Sequence, residues 1–347
     1  MLSAKLEETD KYKILSSSAH NYVFNKLSGQ HIRWDHEMKD DPQWGLPEIA
    51  DIEITTICYG VGGKLCRFCY KANSGNGTYM SFTRFKAIHA KLPKSLTQVA
   101  FGVDSSCSTN PDWYAIFDYC RNNAVLPLVP NVTVADITPA TADKLVSICG
   151  AVAVSRYDDK DICYNCVKLL TDRGLQQTNI HAMLSEETYD NVMETIRDYS
   201  ADPRLSKLNA IVLLSLKPKG RGVGYTTLQQ SKFNFLVDYA LANNVPLGFD
   251  SCSQPSFLKA IVGRPDYGRL EQLSEPCEST CFSLYINVDG QFFPCSFIED
   301  TPGWERGIDV AGCDDFIKDV WMNPRTVDFR TKLLNVRRRC PVYNLNY

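Results

Sequence analysis

Three cysteines crowded into one short segment constrain this chain more than any other feature. Cys58, Cys66 and Cys69 have the spacing C-x7-C-x2-C within CYGVGGKLCRFCY. The preceding residues, 51–57, alternate β-branched and polar side chains, which predicts a strand. The cysteines then lie on a loop at the carboxyl end of a strand, where α/β folds place their chemistry. Three thiolates there suit an iron–sulfur cluster or zinc with one open metal position, and a zinc-stapled loop or buried thiols are the alternative.

The composition indicates the class of protein and the cellular compartment in which such a loop would bind a metal. The 347 residues are 44% hydrophobic and 22% charged, as in an ordinary globular protein. Fourteen cysteines and a polar N-terminus without a signal-peptide core indicate metal ligation in a reducing cytoplasm rather than disulfides. No apolar run approaches the ~18 residues of a membrane span. A formal net charge of −3 argues against a long nucleic acid as partner.

The chain up to residue 250 alternates predicted strands and helices. Strands are predicted over 51–57, 98–103, 125–129, 150–155, 178–184 and 209–216. Helices are predicted over 81–92, 111–122, 138–148, 159–173, 187–199 and 228–242. This order predicts an α/β fold with a parallel sheet and helices outside it. Residues 1–50 are a predicted N-terminal extension that contains a hairpin over 22–34.

At the cysteine loop the chain resembles the radical S-adenosylmethionine enzymes. That family commonly spaces its cysteines C-x3-C-x2-C with an aromatic residue before the third, and Phe68 takes that place here, although the first spacing is longer. The resemblance implies a partial (β/α)6 TIM-type barrel over 51–250. It implies a [4Fe–4S] cluster on Cys58, Cys66 and Cys69, whose open iron binds S-adenosylmethionine beside Phe68. A low-potential donor of flavodoxin or ferredoxin type would supply the electron.

The resemblance also indicates which polar residues at later strand ends bind the cofactor. In the family a GGEP-like segment after the second strand binds the amino group of the cofactor's methionine, and Gly102 and Asp104 take that place. The further candidates are Ser155, Arg156, Asn179, His181, Lys217 and Arg221. The alternatives are a simple strand-to-loop turn, a surface ion pair of Arg156 with Asp158 or Asp159, a satisfied interior histidine and a solvated basic loop.

A second set of cysteines surrounds a predicted hairpin near the C-terminus. Alternating residues around Asp289-Gly290 predict the hairpin, whose feet carry Cys281 and Cys295. Gly290 and Cys295 form the G-x4-C pattern of the SPASM or twitch extension of many radical S-adenosylmethionine enzymes. The resemblance therefore implies a small twitch-like Fe–S domain over 251–347.

The resemblance assigns one auxiliary cluster to this region. The predicted ligands of this [4Fe–4S] cluster are Cys277, Cys281, Cys295 and Cys340. Zinc on the same cysteines is the alternative, and Cys252 or Cys313 is a possible replacement for one of the four. Ser296 follows Cys295 where some relatives carry a catalytic aspartate, so Asp250 is the substitute candidate for acid–base catalysis, with a buried structural carboxylate as the alternative.

The implied function is radical chemistry on an external substrate. Reductive cleavage of S-adenosylmethionine would give a 5′-deoxyadenosyl radical, which abstracts a hydrogen atom and starts the oxidative modification of a peptide or protein side chain. Oxidation of a small molecule or nucleotide is the alternative within the same chemistry. A metal-stabilised binding protein is the alternative outside enzymes.

Overall fold

A small antiparallel sheet forms the N-terminal part of the computed structural model, which describes residues 4–18, 20–35 and 42–343. Its strands, in spatial order, are β1 (Ala4–Glu8), β2 (Tyr12–Ser17), β3 (Asn21–Asn25) and β4 (His31–Trp34). The hairpin predicted over 22–34 is confirmed, because β3 pairs antiparallel with β4. Within the described residues, no helix is both long enough and apolar enough to cross a membrane.

The second sheet has ten strands and organises the rest of the molecule. Its strands are β5 (Ile49–Glu53), β6 (Gln98–Gly102), β7 (Val129–Val134), β8 (Ala151–Ser155), β9 (Thr178–Leu184), β10 (Ala210–Ser215), β11 (Leu247–Phe249), β12 (Ser283–Ile286), β13 (Gln291–Phe293) and β14 (Ile308–Asp309). The spatial order is β11-β10-β9-β8-β7-β6-β5-β12-β13-β14. Strands β5 to β11 run parallel, β12 is parallel to β5, and β13 and β14 are antiparallel additions. The fold is therefore α/β with a large parallel sheet.

Helices connect the parallel strands, and one further helix follows the last strand. The helices are α1 (Phe82–His89), α2 (Trp113–Asn122), α3 (Pro139–Ile148), α4 (Lys160–Thr171), α5 (Tyr189–Ala201), α6 (Gln230–Ala242), α7 (Gln254–Ile261), α8 (Tyr267–Glu271) and α9 (Pro324–Asn335). Side-chain caps explain why several predicted starts were nearly right. Ser81, Thr138 and Asp159 each accept a hydrogen bond from a backbone amide of the first turn of α1, α3 and α4.

One predicted strand was wrong in position. The apolar residues at 125–129 indicated a strand, but β7 begins only at Val129. The side chain of Asn123 accepts hydrogen bonds from the backbone amides of Val125 and Leu126, both 2.9 Å, and folds this stretch into a turn. Leu126 and Leu128 are buried from that turn, so burial rather than strand structure explains their apolar character.

The two faces of the parallel sheet differ in chemistry. Ala50, Ile52 and Ile54 of the β5 segment are fully buried in the core that also contains Phe85 and Ile88 of α1. Successive strand residues point to opposite faces, so the alternate positions face away from the helices. We call this second surface the polar face; its residues are Asp51, Glu53, Gln98, Asn131, Thr133, Asn179 and His181. Strand order follows chain order, so right-handed crossovers leave this face uncovered by helices.

Candidate functional site

The three-cysteine loop begins just beyond β5 and is closed at its base. The Thr56 amide donates to the Thr78 carbonyl (2.8 Å), and the Cys58 amide donates to the Ser74 carbonyl (2.9 Å). Between these bonds the loop turns tightly at Gly60, which has a φ of 77°. A Cβ there would lie 1.9 Å from the Lys64 carbonyl oxygen, so only glycine fits. The sequence thus fixes the cysteines at the carboxyl edge of the sheet.

Arg221, in the turn after β10, supports this loop by hydrogen bonds to its backbone. Its Nε donates to the Cys66 carbonyl (2.7 Å), its Nη2 donates to the Asn73 carbonyl (3.1 Å), and its backbone amide donates to the Cys69 carbonyl (3.0 Å). The neighbouring Gly220 has φ 57°, and a Cβ there would lie 2.3 Å from the Tyr70 carbonyl oxygen. The predicted cofactor residue Arg221 therefore holds the backbone of the cysteine loop.

The three thiols of the loop interact with one another beside an aromatic wall. Burial raises the pKa of the Cys66 thiol to about 12, an effect opposed by the Phe68 amide, and Cys58 and Cys69 both lie close enough to influence it. The Phe68 ring stacks on Tyr157 with centroids 5.7 Å apart and contacts Tyr225 edge-on at 5.8 Å. Phe68 thus belongs to an aromatic group beside the thiols, and its contact with a cofactor stays a prediction.

The Asp104 segment docks against the same loop. Ser105 Oγ donates to the Gly60 carbonyl (2.6 Å), and Thr109 Oγ1 donates to the Ile57 carbonyl (2.9 Å). Asp104 Oδ1 accepts from the amide and hydroxyl of Thr109 at 3.1 and 3.0 Å. Its Oδ2 accepts from the amide and hydroxyl of Ser106 at 3.1 and 2.7 Å. In this structure Asp104 shapes the neighbouring loop, and its contact with a cofactor stays a prediction.

Three further candidates lie near the loop or on the polar face. Gly102 ends β6 beside Glu53. A Cβ added at Gly102 would lie 3.1 Å from the Cα of Glu53. Ser155 ends β8, two residues before Tyr157 of the aromatic wall. His181 Nδ1 lies 3.2 Å from Thr133 Oγ1, and burial lowers the pKa of His181 to about 4, so it is neutral at pH 7.

Two predicted cofactor residues lie elsewhere and need correction. The Arg156 side chain turns towards α5, where Nη2 donates to Glu194 (2.8 Å) and Nε donates to Thr195 Oγ1 (3.2 Å). Asn179 stands at the amino end of β9, opposite the edge that carries the cysteines, and accepts from Asn209 Nδ2 (2.8 Å). The alternation of strand residues predicts the face of the sheet on which Asn179 lies. It does not predict whether Asn179 lies at the amino or the carboxyl end of the strand.

A second group of thiols lines one cavity on the C-terminal side of the molecule. The cysteines of this cavity are Cys252, Cys277, Cys295 and Cys340. Burial raises the pKa of Cys252 to about 11 and that of Cys295 to about 12, and mutual interaction of the thiols contributes to both effects less than burial. We call this group the C-terminal site. Cys252 follows β11, whereas the other three come from the segment after α8.

Cys281, a predicted ligand, is not in this cavity. The chain turns sharply after Cys277, with Thr280 at φ 58°, and Cys281 enters an apolar cluster with Phe282 and Leu333. Cys313 is also absent from the cavity lining, and its carbonyl accepts from Lys91 Nζ (2.7 Å). Cys252, which the sequence offered as a replacement, therefore takes the place of Cys281 in the candidate set.

Accessibility divides the fourteen cysteines in the same way. The partly accessible ones are Cys58, Cys66, Cys69, Cys252, Cys277, Cys295 and Cys340. The buried ones are Cys107, Cys120, Cys149, Cys163, Cys166, Cys281 and Cys313. The first group contains only the loop thiols and the cavity thiols. Among the described residues, no three His, Cys, Asp or Glu side chains are grouped closely enough to hold a single metal ion.

Asp250 is engaged by its neighbours rather than free for acid–base chemistry. Its Oδ2 forms an ion pair with Lys217 Nζ. Its Oδ1 accepts from the backbone amides of Ser253 (2.9 Å) and Ser215 (3.3 Å). Lys217 Nζ also lies 4.8 Å from the centre of the Phe297 ring. These contacts match the alternative that the sequence offered, a structural carboxylate, and they place Lys217 at the C-terminal site.

A buried polar cluster that the sequence did not indicate lies between the two sets of thiols. Lys71 pairs with Glu299 and, at 3.3 Å, with Glu53. Tyr285 Oη donates to Glu53 Oε2 (3.0 Å), and Asn287 Nδ2 donates to Glu299 Oε1 (2.7 Å). Lys71 lies two residues after Cys69, and Glu299 lies four residues after Cys295. Charged groups thus connect the loop with the C-terminal site.

Asp51 is a second residue that the sequence analysis did not single out. It lies on the polar face two residues before Glu53, and burial raises its pKa to about 7. Its side chain has no hydrogen bond or ion pair with any residue that the structure describes. The alternation Asp-Ile-Glu-Ile at 51–54 was the available signal, because it places both carboxylates on one face of a buried strand.

Comparison with known proteins gives a fold. No protein-family model matches the sequence, and no curated protein matches it. Among solved structures, Streptococcus suis SuiB bound to its precursor peptide SuiA matches 95% of this chain and 96% of its own, with a TM-score of 0.67 and 12% identity. SuiB bound to S-adenosylmethionine matches 94% of this chain and 90% of its own, with a TM-score of 0.65 and 12% identity. At this identity the likeness shows a shared fold over nearly the whole chain.

Proposed function

We propose that this protein is a radical S-adenosylmethionine enzyme that oxidatively modifies a peptide or protein side chain. The observation that carries the proposal is the loop of three partly accessible thiols at the carboxyl edge of a parallel sheet. Such an edge is where α/β folds bind ligands. The loop supplies three soft donors and leaves a metal position for a small molecule.

The residues present fit a [4Fe–4S] cluster, because three partly accessible thiols lie on the loop and four line one cavity. Zinc takes the same soft thiolate ligands and is the alternative at the C-terminal site. A cluster uses a different iron for each cysteine, so the three loop thiols would leave one iron open. With S-adenosylmethionine bound, such a cluster supplies a 5′-deoxyadenosyl radical that abstracts hydrogen from the substrate.

The chain's own residues would position and shield this chemistry. Arg221 fixes two loop carbonyls, so the cysteines keep their arrangement. The ring of Phe68, with Tyr157 behind it, supplies an apolar surface that excludes water beside the thiols. Asp51 and Glu53 supply acidic groups on the neighbouring polar face, where a substrate could bind and where a proton could be accepted.

The sheet itself supports the same proposal. Seven consecutive parallel strands with helices on one face are the arrangement of a partial TIM-type barrel, with the polar face as its inner surface. Strand β12 pairs parallel with the free edge of β5, so C-terminal residues extend the same sheet. We assign residues 51–250 to the barrel and 251–347 to a twitch-like domain, with 1–50 as an extension.

An auxiliary [4Fe–4S] cluster at the C-terminal site completes the proposal. Its ligands would be Cys252, Cys277, Cys295 and Cys340, which line one cavity. Four cysteines leave no open position, so this group would pass electrons rather than bind substrate. That role favours oxidation of the substrate radical. The electron for the loop site would come from a flavodoxin- or ferredoxin-type donor.

The preference for a peptide substrate rests on the fold comparison. SuiB shares the fold over 95% of this chain, and one of its structures contains its precursor peptide.

Formation of 5′-deoxyadenosine tests the proposal. Anaerobically reconstituted protein with dithionite and S-adenosylmethionine should form it slowly without substrate. Cys66→Ala should abolish the reaction, because two thiolates do not hold the cluster. Cys163→Ala, which removes a buried thiol of α4, is the matched control and should retain it. Equal rates from Cys66→Ala and the control would contradict the proposal.

A further inference from the structure

Lys217 joins the parallel sheet to the C-terminal site. It follows β10 directly and is buried, with 7% of its surface exposed. Its side chain lines the cavity together with the four cysteines. A buried lysine is costly unless its charge is compensated, so its partners define its role.

The ammonium group is fixed by a carboxylate and lies beside the thiols of the cavity. It forms the ion pair with Asp250 and lines the cavity next to Cys252, where its positive charge lowers the pKa of that thiol against the larger effect of burial. Ser253 and Ser215 hold the other Asp250 oxygen, so the carboxylate cannot swing away easily. The position of the Lys217 charge is therefore set by residues at the ends of β10 and β11, and not by the segment after α8.

Other cations near the cavity contact backbone rather than sulfur. Lys219 Nζ donates to the Ser296 carbonyl (3.5 Å) and to the Glu299 carbonyl. Arg338 Nε donates to the Cys277 carbonyl (2.9 Å). Of these three cations, only Lys217 lines the cavity together with the four thiols, so its charge acts on a group bound there.

A positive charge at a ligand sulfur changes the redox balance of an iron–sulfur group. Reduction adds one negative charge, and a nearby cation stabilises the reduced form. Net charge, hydrogen bonds to sulfur and burial are the factors that set such potentials. The effect is strong in a buried site, where screening by water is weak.

We propose that Lys217, held by Asp250, raises the reduction potential of the group bound at the C-terminal site and so makes that site an electron acceptor. This inference rests on the auxiliary cluster of the proposed function. Lys217 acts as a positioning residue, since it works through Cys252 rather than on the substrate. The reaction is a one-electron reduction of the cluster, with dithionite as the reductant in the test.

Redox titrations followed by electron paramagnetic resonance test the inference. Lys217→Met should lower the midpoint potential of the C-terminal cluster, with at least a tenfold change in the reduction equilibrium, about 59 mV for one electron. Asp250→Asn should raise it, because a negative charge is removed. Lys217→Arg keeps the charge and should stay near the wild-type value. Spectra of Cys66→Ala identify the signal of the C-terminal site.

Lys13→Met is the matched control, because Lys13 is a buried lysine (4% exposed) that donates to the Leu96 carbonyl far from both sites. Its titration should match wild type. Full iron content with equal potentials in Lys217→Met and Asp250→Asn would overturn the inference and leave the auxiliary cluster standing. Shifts of the same sign in both variants would also overturn it. Zinc or no metal at this site would remove the auxiliary cluster itself, and the inference with it.

Discussion

The two sets of thiols are built in opposite ways. All three cysteines of the loop lie within twelve consecutive residues, and their geometry comes from one turn and its glycines. The cysteines of the C-terminal site come from four separate segments, one of which follows β11 of the parallel sheet. The loop therefore carries its three thiols on one local segment, which Arg221 and Ser105 brace, whereas the C-terminal site exists only when distant parts of the chain have packed together.

The cations beside the two sites differ in the same sense. Arg221 hydrogen-bonds carbonyls of the loop backbone. Lys217 lines the cavity beside Cys252 and makes its ion pair with Asp250. The hydrogen bonds of Arg221 fix the shape of the loop, and Lys217 places a positive charge beside the thiols of the C-terminal site. This difference agrees with the proposal that the loop site has an open metal position for a small molecule. It also agrees with a C-terminal site that has no open position and transfers electrons.

The largest expected effect is on iron content, and it tests which cysteines are ligands at the C-terminal site. Cys252→Ala should reduce the iron content from about eight to about four per chain, because each [4Fe–4S] cluster needs its thiolates. Cys281→Ala, the matched control, should keep about eight, since that thiol packs against Phe282 and Leu333. Iron, sulfide and zinc assays measure this directly. Loss of four irons from Cys281→Ala, with none lost from Cys252→Ala, would restore the ligand set expected from the sequence.

A smaller effect is expected from the support of the loop. Arg221→Met leaves the Cys66 and Asn73 carbonyls without their donors, which costs about 1–3 kcal/mol. Iron of the loop site should then be lost to a chelator roughly tenfold faster, because 1.4 kcal/mol corresponds to a factor of ten. Arg156→Met is the control, because Arg156 contacts α5. Equal acceleration at both metal sites would show a general loss of structure instead.

The smallest expected effect is on the free energy of unfolding and comes from Asp51, on the polar face next to the loop. The folded-state pKa of Asp51 is raised to about 7 from 3.8, so the folded protein binds this proton more tightly than the unfolded chain. The stabilisation by this proton is complete below pH 4 and is lost as the pH rises through 7. Asp51→Asn should therefore be more stable than wild type above pH 7, by at most roughly 4 kcal/mol and less after screening by solvent. Urea titrations at pH 4 and pH 8 measure the difference.

Asp118→Asn on the exposed side of α2 is the control for that experiment and should show little change at either pH. An Asp51→Asn protein with the same stability difference at both pH values would show that its carboxyl stays charged in the folded state. The polar face would then be wetter than the burial of Asp51 indicates.

The parallel sheet was predictable because its signals are local. Strands such as 98–103 and 178–184 alternate clearly, and the structure places β6 and β9 at Gln98–Gly102 and Thr178–Leu184. The position of the cysteine loop, just beyond β5, was predictable for the same reason. The position of β7 was not, because buried leucines in a turn look like strand residues. The three-residue strand β11 was too short to detect.

The C-terminal site was only partly predictable. Cys277 and Cys295 flank a hairpin that the sequence indicates, but spacing cannot show that Cys281 turns into an apolar cluster while Cys252 arrives from the sheet. Arg156 and Asn179 failed for a similar reason. A side chain at a strand end can bend back over the helices, and a pattern of period two does not tell one end of a strand from the other.

The central claim is that the loop cleaves S-adenosylmethionine and the C-terminal site does not. The most direct measurement is 5′-deoxyadenosine formation per loop cluster in Cys252→Ala/Cys295→Ala, next to Cys66→Ala, with circular dichroism to confirm folding. The account predicts a rate near wild type in the double variant and none in Cys66→Ala. Loss of cleavage from a folded double variant that retains about four irons, or cleavage by Cys66→Ala, would contradict it.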